Sequence, residues 1–311
     1  MNAGRAWLAA LAVVAVAGGA PAAAAEEKGA TFTTPDGVTI WYEVTGGGTG
    51  RPLLLVNGGP GFDHAYLHAG AWERLGRDRP VVFYDQRGNG RSSPLAPGQP
   101  CGLAEQIADL EALRAHLGYE TMDLLGHSWG GYLVMAYAAR HPERIAHLVI
   151  VDSAAPKIQD TVFLFEKIYP EVTASEAKKA FAVELGDPEA IAADLDEYFS
   201  MLFYDARHLE AFRERARREG FRYTQAVNRA VWSDLQRFDL NPELGQFRFP
   251  ALVVTGRYDF NVAPSVAWAI HRAIPGSELA VFEKSGHLPQ VEEEDAFVAR
   301  VSTFLSKPAQ P

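Results

Sequence analysis

The chain is organised by short, wholly apolar runs, each ended by a glycine-rich or polar loop. "PLLLV" ends in "NGGPG", "PVVFY" in "DQRGNGRS", "MDLLG" in "HSWGG" and "AHLVIV" in "DSA"; "PALVVTG" and "SELAVF" complete the series. A strand apolar on both faces is covered on both faces, as in a parallel sheet. Helical spacing fills the gaps. "AEQIADLEALRAHLG" sets Ile107, Leu110, Leu113 and Leu117 three and four apart and ends at Gly118, a helix with one apolar stripe and a glycine stop. "GGYLVMAYAARHPERI" runs helically to the stop before Pro142. Strand and helix in alternation specify an α/β fold with a mostly parallel, doubly wound sheet. Ahead of it, "TFTTPDGVTIWYEVTGGG" reads as two strands around an Asp36-Gly37 turn.

The rhythm breaks once. From residue 156 to 249 the chain is helical, charged and aromatic, with no apolar burst. The expected division is a core over 26–155, a helical cap over 156–249 inserted after the sixth strand, and the core resumed over 250–311. Residues 1–25 read as a signal peptide: Arg5, an apolar stretch from Ala6 to about Ala17, and alanines up to Ala25 at the cleavage point. No twin arginine is present, so a Sec-type route is expected, delivering the protein to the periplasm or the medium. No later segment is apolar for long enough to span a membrane.

The formal net charge of -10 argues against a nucleic-acid partner. The lone Cys101 excludes an internal disulfide, and its surroundings lack the basic setting of a reactive thiol. The chain contains no H-E-x-x-H, and no G-x-G-x-x-G follows its first strand; neither a metal nor a dinucleotide cofactor is expected.

"GHSWG" fits G-x-S-x-G with a strand before it and a helix after it. That context throws Ser128 up at the carboxyl edge of the sheet and turns the N–H of Trp129 toward a developing oxyanion. A serine hydroxyl is a poor nucleophile without a base, and the base needs a group to orient it. In the chain order this fold uses, an acid and then a histidine follow the serine. Asp259 in "GRYDF" and His287 in "KSGHLP" both follow late apolar bursts, at strand ends where such sheets build sites. Asp152, after "LVIV", is the rival acid. "VNGGPG" offers free N–H groups near the serine, and that of Gly59 is the expected second oxyanion donor.

With these motifs in place, the chain resembles the proline iminopeptidase branch of the α/β-hydrolase superfamily. The resemblance rests on "GGPG", "DQRGNGRS", "GHSWGG", "GRYD" and "SGH", in that order. It implies metal-free hydrolysis through Ser128, Asp259 and His287, with release of an N-terminal residue, often proline, from a short-peptide or small-molecule substrate. It assigns Asp85 and Arg87 to bracing loops. The family usually has histidine where this chain has Asn57, whose amide can still bond the loop backbone. It also implies cap carboxylates that hold the substrate ammonium. Among Glu166, Glu171, Glu197 and Asp234, Glu197 in "DEYF" is the candidate. Two other readings stand beside the aminopeptidase: a carboxylesterase for small esters or lactones, and a non-catalytic binder on a hydrolase scaffold.

Overall fold

A computed structural model describes residues 29–309; the expected signal peptide lies outside the described residues. Eight strands form one sheet: β1 (Ala30–Thr33), β2 (Thr39–Gly46), β3 (Leu53–Val56), β4 (Pro80–Tyr84), β5 (Met122–His127), β6 (Ile145–Val151), β7 (Ala251–Gly256) and β8 (Glu278–Phe282). Their order is β1-β2-β4-β3-β5-β6-β7-β8, parallel from β4 to β8 and antiparallel at β1 and β2. The apolar bursts are the parallel strands, and every residue of β3, β5, β6 and β7 is buried. β8 departs from that expectation. It is the edge strand, and only Phe282 of its five residues is fully buried.

Twelve helices accompany the sheet among the described residues. On the core are α1 (Gly70–Leu75), α2 (Leu103–His116) and α3 (Trp129–Arg140). Between β6 and β7 come α4 (Phe165–Ile168), α5 (Pro170–Glu184), α6 (Pro188–Ser200), α7 (Arg207–Glu219), α8 (Gln225–Leu235) and α9 (Asn241–Leu244). The core resumes with α10 (Pro264–Ala273), α11 (Pro289–Glu292) and α12 (Glu294–Leu305). The cap therefore enters after the sixth strand and carries no strand of its own. None of the described helices is long and apolar enough to cross a membrane.

The cap is fastened to the loop that follows β3. Thr224 N–H donates to Gly61 O at 2.8 Å, Asn228 Nδ2 donates to Pro60 O at 2.8 Å, and Arg222 N–H donates to Asp63 Oδ2 at 2.8 Å. The "DQRGNGRS" loop after β4 is braced from within. Arg87 is almost fully buried and grips Asp109 of α2 with two bonds of 2.6 Å, while also reaching Asp36 at 2.9 Å and Pro100 O at 3.0 Å. Asp85 accepts from the N–H groups of His64 and Arg91. Cys101 is buried, and burial pushes its thiol up to about 12, which fits a structural side chain.

A buried guanidinium left without its carboxylate is expensive. Asp109→Ala is expected to destabilise the fold by about 3–5 kcal/mol, read as a lower urea midpoint at unchanged slope. Asp36→Ala, whose carboxylate is partly exposed, should cost clearly less.

Candidate active site

β5 ends at His127 and α3 begins at Trp129, so the turn between them is a single residue, Ser128. Its backbone is strained, with φ 58° and ψ -120°; a non-glycine residue holds such angles only where the surroundings fix them. The surroundings here are two glycines. A Cβ on Gly126 would lie 2.2 Å from Gly130 O, and one on Gly130 would lie 2.1 Å from Val56 O. Only glycine at both positions lets the helix start against the strand ends. Trp129 opens α3, so its N–H has no acceptor within the helix.

The loop after β3 lies against this turn: a Cβ on Gly58 would stand 2.9 Å from that of Ser128. Asn57 acts as the sequence suggested, donating through Nδ2 to Phe62 O at 2.7 Å and Gly58 O at 3.1 Å. Gln86 joins the two sides. Its Nε2 donates to Asn57 O at 2.8 Å, and its Oε1 accepts from Trp129 Nε1 at 2.9 Å. Gly58 N–H donates to the Tyr66 hydroxyl, which leaves the Gly59 N–H, next along the loop, for another acceptor.

Asp259 and His287 meet. His287 Nδ1 stands 2.7 Å from Asp259 Oδ2. The other oxygen, Oδ1, accepts from the N–H groups of Asn261 and Val262, each at 2.9 Å. Both side chains are fully buried, and burial lowers the proton affinity of His287 while raising that of Asp259. The imidazole is therefore neutral near neutral pH. Its Nδ1 proton points at the carboxylate and its lone pair sits on Nε2. The loop holding it is pinned at three places: His287 N–H donates to the cap at Leu202 O (2.7 Å), Gly286 N–H to Glu292 Oε2 (2.6 Å), and Ser285 Oγ to Glu293 Oε2 (2.7 Å).

The serine joins this pair through a neighbour. The ring of His287 packs 4.7 Å from that of His127, the residue before Ser128. No hydrogen bond links Ser128 Oγ to His287 among the described residues; Nε2 is instead engaged by Asn261 Nδ2 at 3.0 Å. Such bonds are often long in a free enzyme and tighten with substrate. Asn261 also donates to the cap residue Tyr198 at 3.2 Å.

Asp152, the rival acid, is beside Asp259. Oxygens of both carboxyls and a ring nitrogen of His287 lie within 4.8 Å of one another. Asp152 has φ 44°, is buried, and accepts from Gly256 N–H at 2.9 Å through Oδ1. Burial, then the neighbouring Asp259, raises its proton affinity well above the carboxylate norm. Two buried carboxylates this close cannot both ionise. Asp259 accepts from two N–H groups and faces the imidazole, so it carries the charge and Asp152 the proton.

On the cap, Glu197 is already occupied: Lys179 Nζ is 2.6 Å from Oε2, and Ser175 Oγ donates to Oε1 at 2.9 Å. Glu176, one helical turn before Lys179, makes no hydrogen bond or ion pair among the described residues. Burial, then Asp194, pushes its carboxyl up to about 7. The charges of Asp259 and Glu176 both raise the proton affinity of Tyr198, after burial. Sequence reasoning passed over Tyr66, Gln86, Asn261 and Glu176, and weighed Tyr198 only as one of the cap aromatics that suit an ester substrate. Only Asn261 carried a local signal, standing two residues past the expected acid.

Comparison with known proteins agrees with this fold. Residues 51–294 match the family model for the alpha/beta hydrolase fold. The chain is 30% identical to a proline iminopeptidase of Levilactobacillus brevis over 82% of its own length and 88% of that protein's. It is 28% identical to the proline iminopeptidase of Clostridium botulinum, over 86% and 94%. Among solved structures, a thermophilic esterase from Thermogutta terrifontis superposes with a TM-score of 0.69 at 26% identity, covering 89% of this chain and 98% of that one. The chain belongs to the alpha/beta hydrolase fold family and, within it, is proline iminopeptidase-like.

Proposed function

We propose that this protein is an exported serine aminopeptidase of proline iminopeptidase type, releasing the N-terminal residue of short peptides or amino-acid amides. One observation carries the reading: a partly desolvated cap carboxyl, Glu176, that makes no hydrogen bond or ion pair among the described residues and whose charge is felt at Tyr198, the residue bonded to Asn261 beside His287. A substrate bearing a free ammonium gives that carboxyl a partner, and an ester without an amine gives it none. Glu176 takes this role in place of Glu197, whose charge is already met by Lys179.

The chemistry follows from the site. Ser128 Oγ attacks the scissile carbonyl as His287 Nε2 takes its proton. Asp259 holds the Nδ1 proton and stabilises the imidazolium. The N–H groups of Trp129 and Gly59 receive the oxyanion, a donor of this kind contributing roughly 3 kcal/mol to the transition state. His287 then protonates the leaving amine, and water releases the acyl group. For this sequence of steps Asn261 must give up Nε2 to the serine.

A carboxylesterase is the second reading. Phe62 is surrounded by the rings of Tyr66, Tyr198, Phe199, Phe221 and Tyr223 at 5.2–6.2 Å, an aromatic wall suited to an apolar acyl group. The Thermogutta terrifontis esterase has the same fold.

A substrate panel separates these readings. Mature protein, its N-terminus just past Ala25 and recovered outside the cytoplasm, should turn over proline and alanine arylamides. Ser128→Ala should abolish both turnover and fluorophosphonate labelling. Turnover of short acyl esters alone would reject the peptidase, and labelling that survives the substitution would reject the serine mechanism.

The two acids should behave differently. Asp259→Asn is expected to lower kcat by about a thousandfold or more, since it disrupts the tautomer of His287. Asp152→Asn keeps the shape of a neutral acid and should lower kcat by less than about tenfold. Equal losses, measured on one arylamide, would contradict the assigned protonation.

Glu176 gives a pH signature. Its raised pKa leaves it charged above about 7 and neutral below. The KM for an amine-bearing substrate should therefore climb as the pH falls through that value, while the KM for an ester lacking the amine stays level. Glu176→Gln should raise the arylamide KM by roughly tenfold or more, the loss of a desolvated charge pair, and remove the pH dependence.

A further inference from the structure

A second cluster of chemistry-bearing side chains lies outside the triad, on the face of β2 and β4 beneath the turn that follows the "GGPG" loop. Side chains two apart on a strand share a face, so Trp41 and Glu43 of β2 point the same way. Glu43 is paired in register with Phe83 of β4. Two histidines from the 3-10 turn His64–Leu67 and its cap are laid over these rings. His64 stacks on Trp41 at 4.3 Å between centroids, and His68 packs on Phe83 at 4.4 Å. One ligand atom each from Glu43, His64 and His68 falls within 4.8 Å of the others.

One imidazole is held by a carboxylate and the other has one nearby. His64 Nδ1 stands 2.7 Å from Asp85 Oδ1, and Glu219 Oε2 lies 3.9 Å from His68 Nδ1, beyond hydrogen-bond reach. The Asp85–His64 contact is the kind by which proteins orient metal-binding histidines and raise their basicity. The remaining nitrogen of His68, Nε2, is buried without a hydrogen-bond partner. A buried polar atom left unpaired is costly, and a cation would satisfy it.

We propose that Glu43, His64 and His68 form a binding site for a divalent zinc-class cation, tying β2 to the turn behind the oxyanion loop. Two imidazoles and one carboxylate are a donor set that such cations take, with a fourth position left for water. Tetrahedral ligands stand about 3.3 Å apart, so binding draws all three side chains inward from their present spacing of up to 4.8 Å. Arg91 and Arg215 lie near His68. The same two guanidiniums oppose a dication. Arg91 lies over Trp41 at 4.8 Å, and Arg215 donates to His68 O at 2.9 Å. Glu43, Asp85 and Glu219 offset them. The histidines are four residues apart, the spacing of H-E-x-x-H, but alanine follows His64 where that pattern has glutamate. The sequence expectation of no histidine pair with helix-face ligand spacing overlooked this one.

The test is a zinc titration of chelator-stripped protein near neutral pH, read by competition with a chromophoric chelator. One equivalent should bind per chain with a micromolar or tighter Kd. His68→Gln should weaken it by about tenfold or more, the scale on which such sites lose affinity, and Glu43→Gln should do the same if the first variant does not fold. Retained fluorophosphonate labelling reports folding of either variant. His287→Gln, which removes the imidazole from the separate triad cluster, should leave the affinity unchanged. A loss smaller than tenfold in a folded variant, no saturable binding up to about 100 µM, or a loss in His287→Gln overturns the assignment.

Discussion

The site depends on a buried hydrogen-bond relay that runs through His127. Gly58 N–H donates to the Tyr66 hydroxyl, which stands 2.8 Å from His127 Nδ1, while His127 Nε2 is 2.7 Å from the carbonyl of His287. The carbonyl can only accept, so Nε2 carries the proton and Nδ1 accepts from the tyrosine. Burial holds the ring neutral, far below the usual histidine range, which preserves this single polarity from end to end. One imidazole thereby sets the spacing of three pieces that are remote in sequence: the oxyanion loop, the serine turn and the loop that carries the base. A completely buried polar chain of this kind is costly if any member is lost, so the three pieces are held together or fail together.

The acids beside the base follow the same logic of burial. A carboxylate deep in the fold survives only where donors surround it. Asp259 has two N–H groups and the imidazole; Asp152 has one N–H and a second oxygen without a partner. The proton falls to the poorer site. Asp152 then serves as a neutral neighbour that removes the repulsion a second charge would impose on Asp259. Its left-handed backbone, unusual for aspartate in its frequency if not in kind, is the cost of aiming the side chain there.

Much of this was legible in the sequence because its signals are local. A run of Val and Leu closed by glycine marks a parallel strand whatever lies elsewhere, and Ser128 was named by the turn it occupies. Asp259 and His287 were reachable through chain order. The partners that tune them were not. Glu176 differs from Glu197 in being more desolvated and in lacking the direct bonds that Lys179 and Ser175 give Glu197, and that depends on how α5 packs on α6. Tyr66 and Gln86 act through bonds to backbone atoms many residues away. Asn261 sits next to the acid, yet its bond to Nε2 exists only once the β7 and β8 loops meet. His64 and His68 needed the register of β2 on β4 to acquire Glu43.

In the proposed reading the cap is what would turn a general hydrolytic site into a selective one. It touches the base twice: Leu202 O receives the N–H of His287, and Tyr198 shares Asn261 with Nε2. The lone pair the serine requires is therefore spoken for by a residue whose other bond ends on the cap. A ligand that draws the Tyr198 hydroxyl away changes the geometry around Asn261, and with it the freedom of Nε2. Under the proposed aminopeptidase reading, a substrate ammonium paired with Glu176 would alter the electrostatics felt at Tyr198 and so couple recognition of the N-terminus to release of the base. An ester held only by the aromatic wall around Phe62 has no polar group to make that exchange. Binding energy from the amine end would then be expressed in the chemical step rather than in affinity alone, the way an enzyme gains rate from a remote contact.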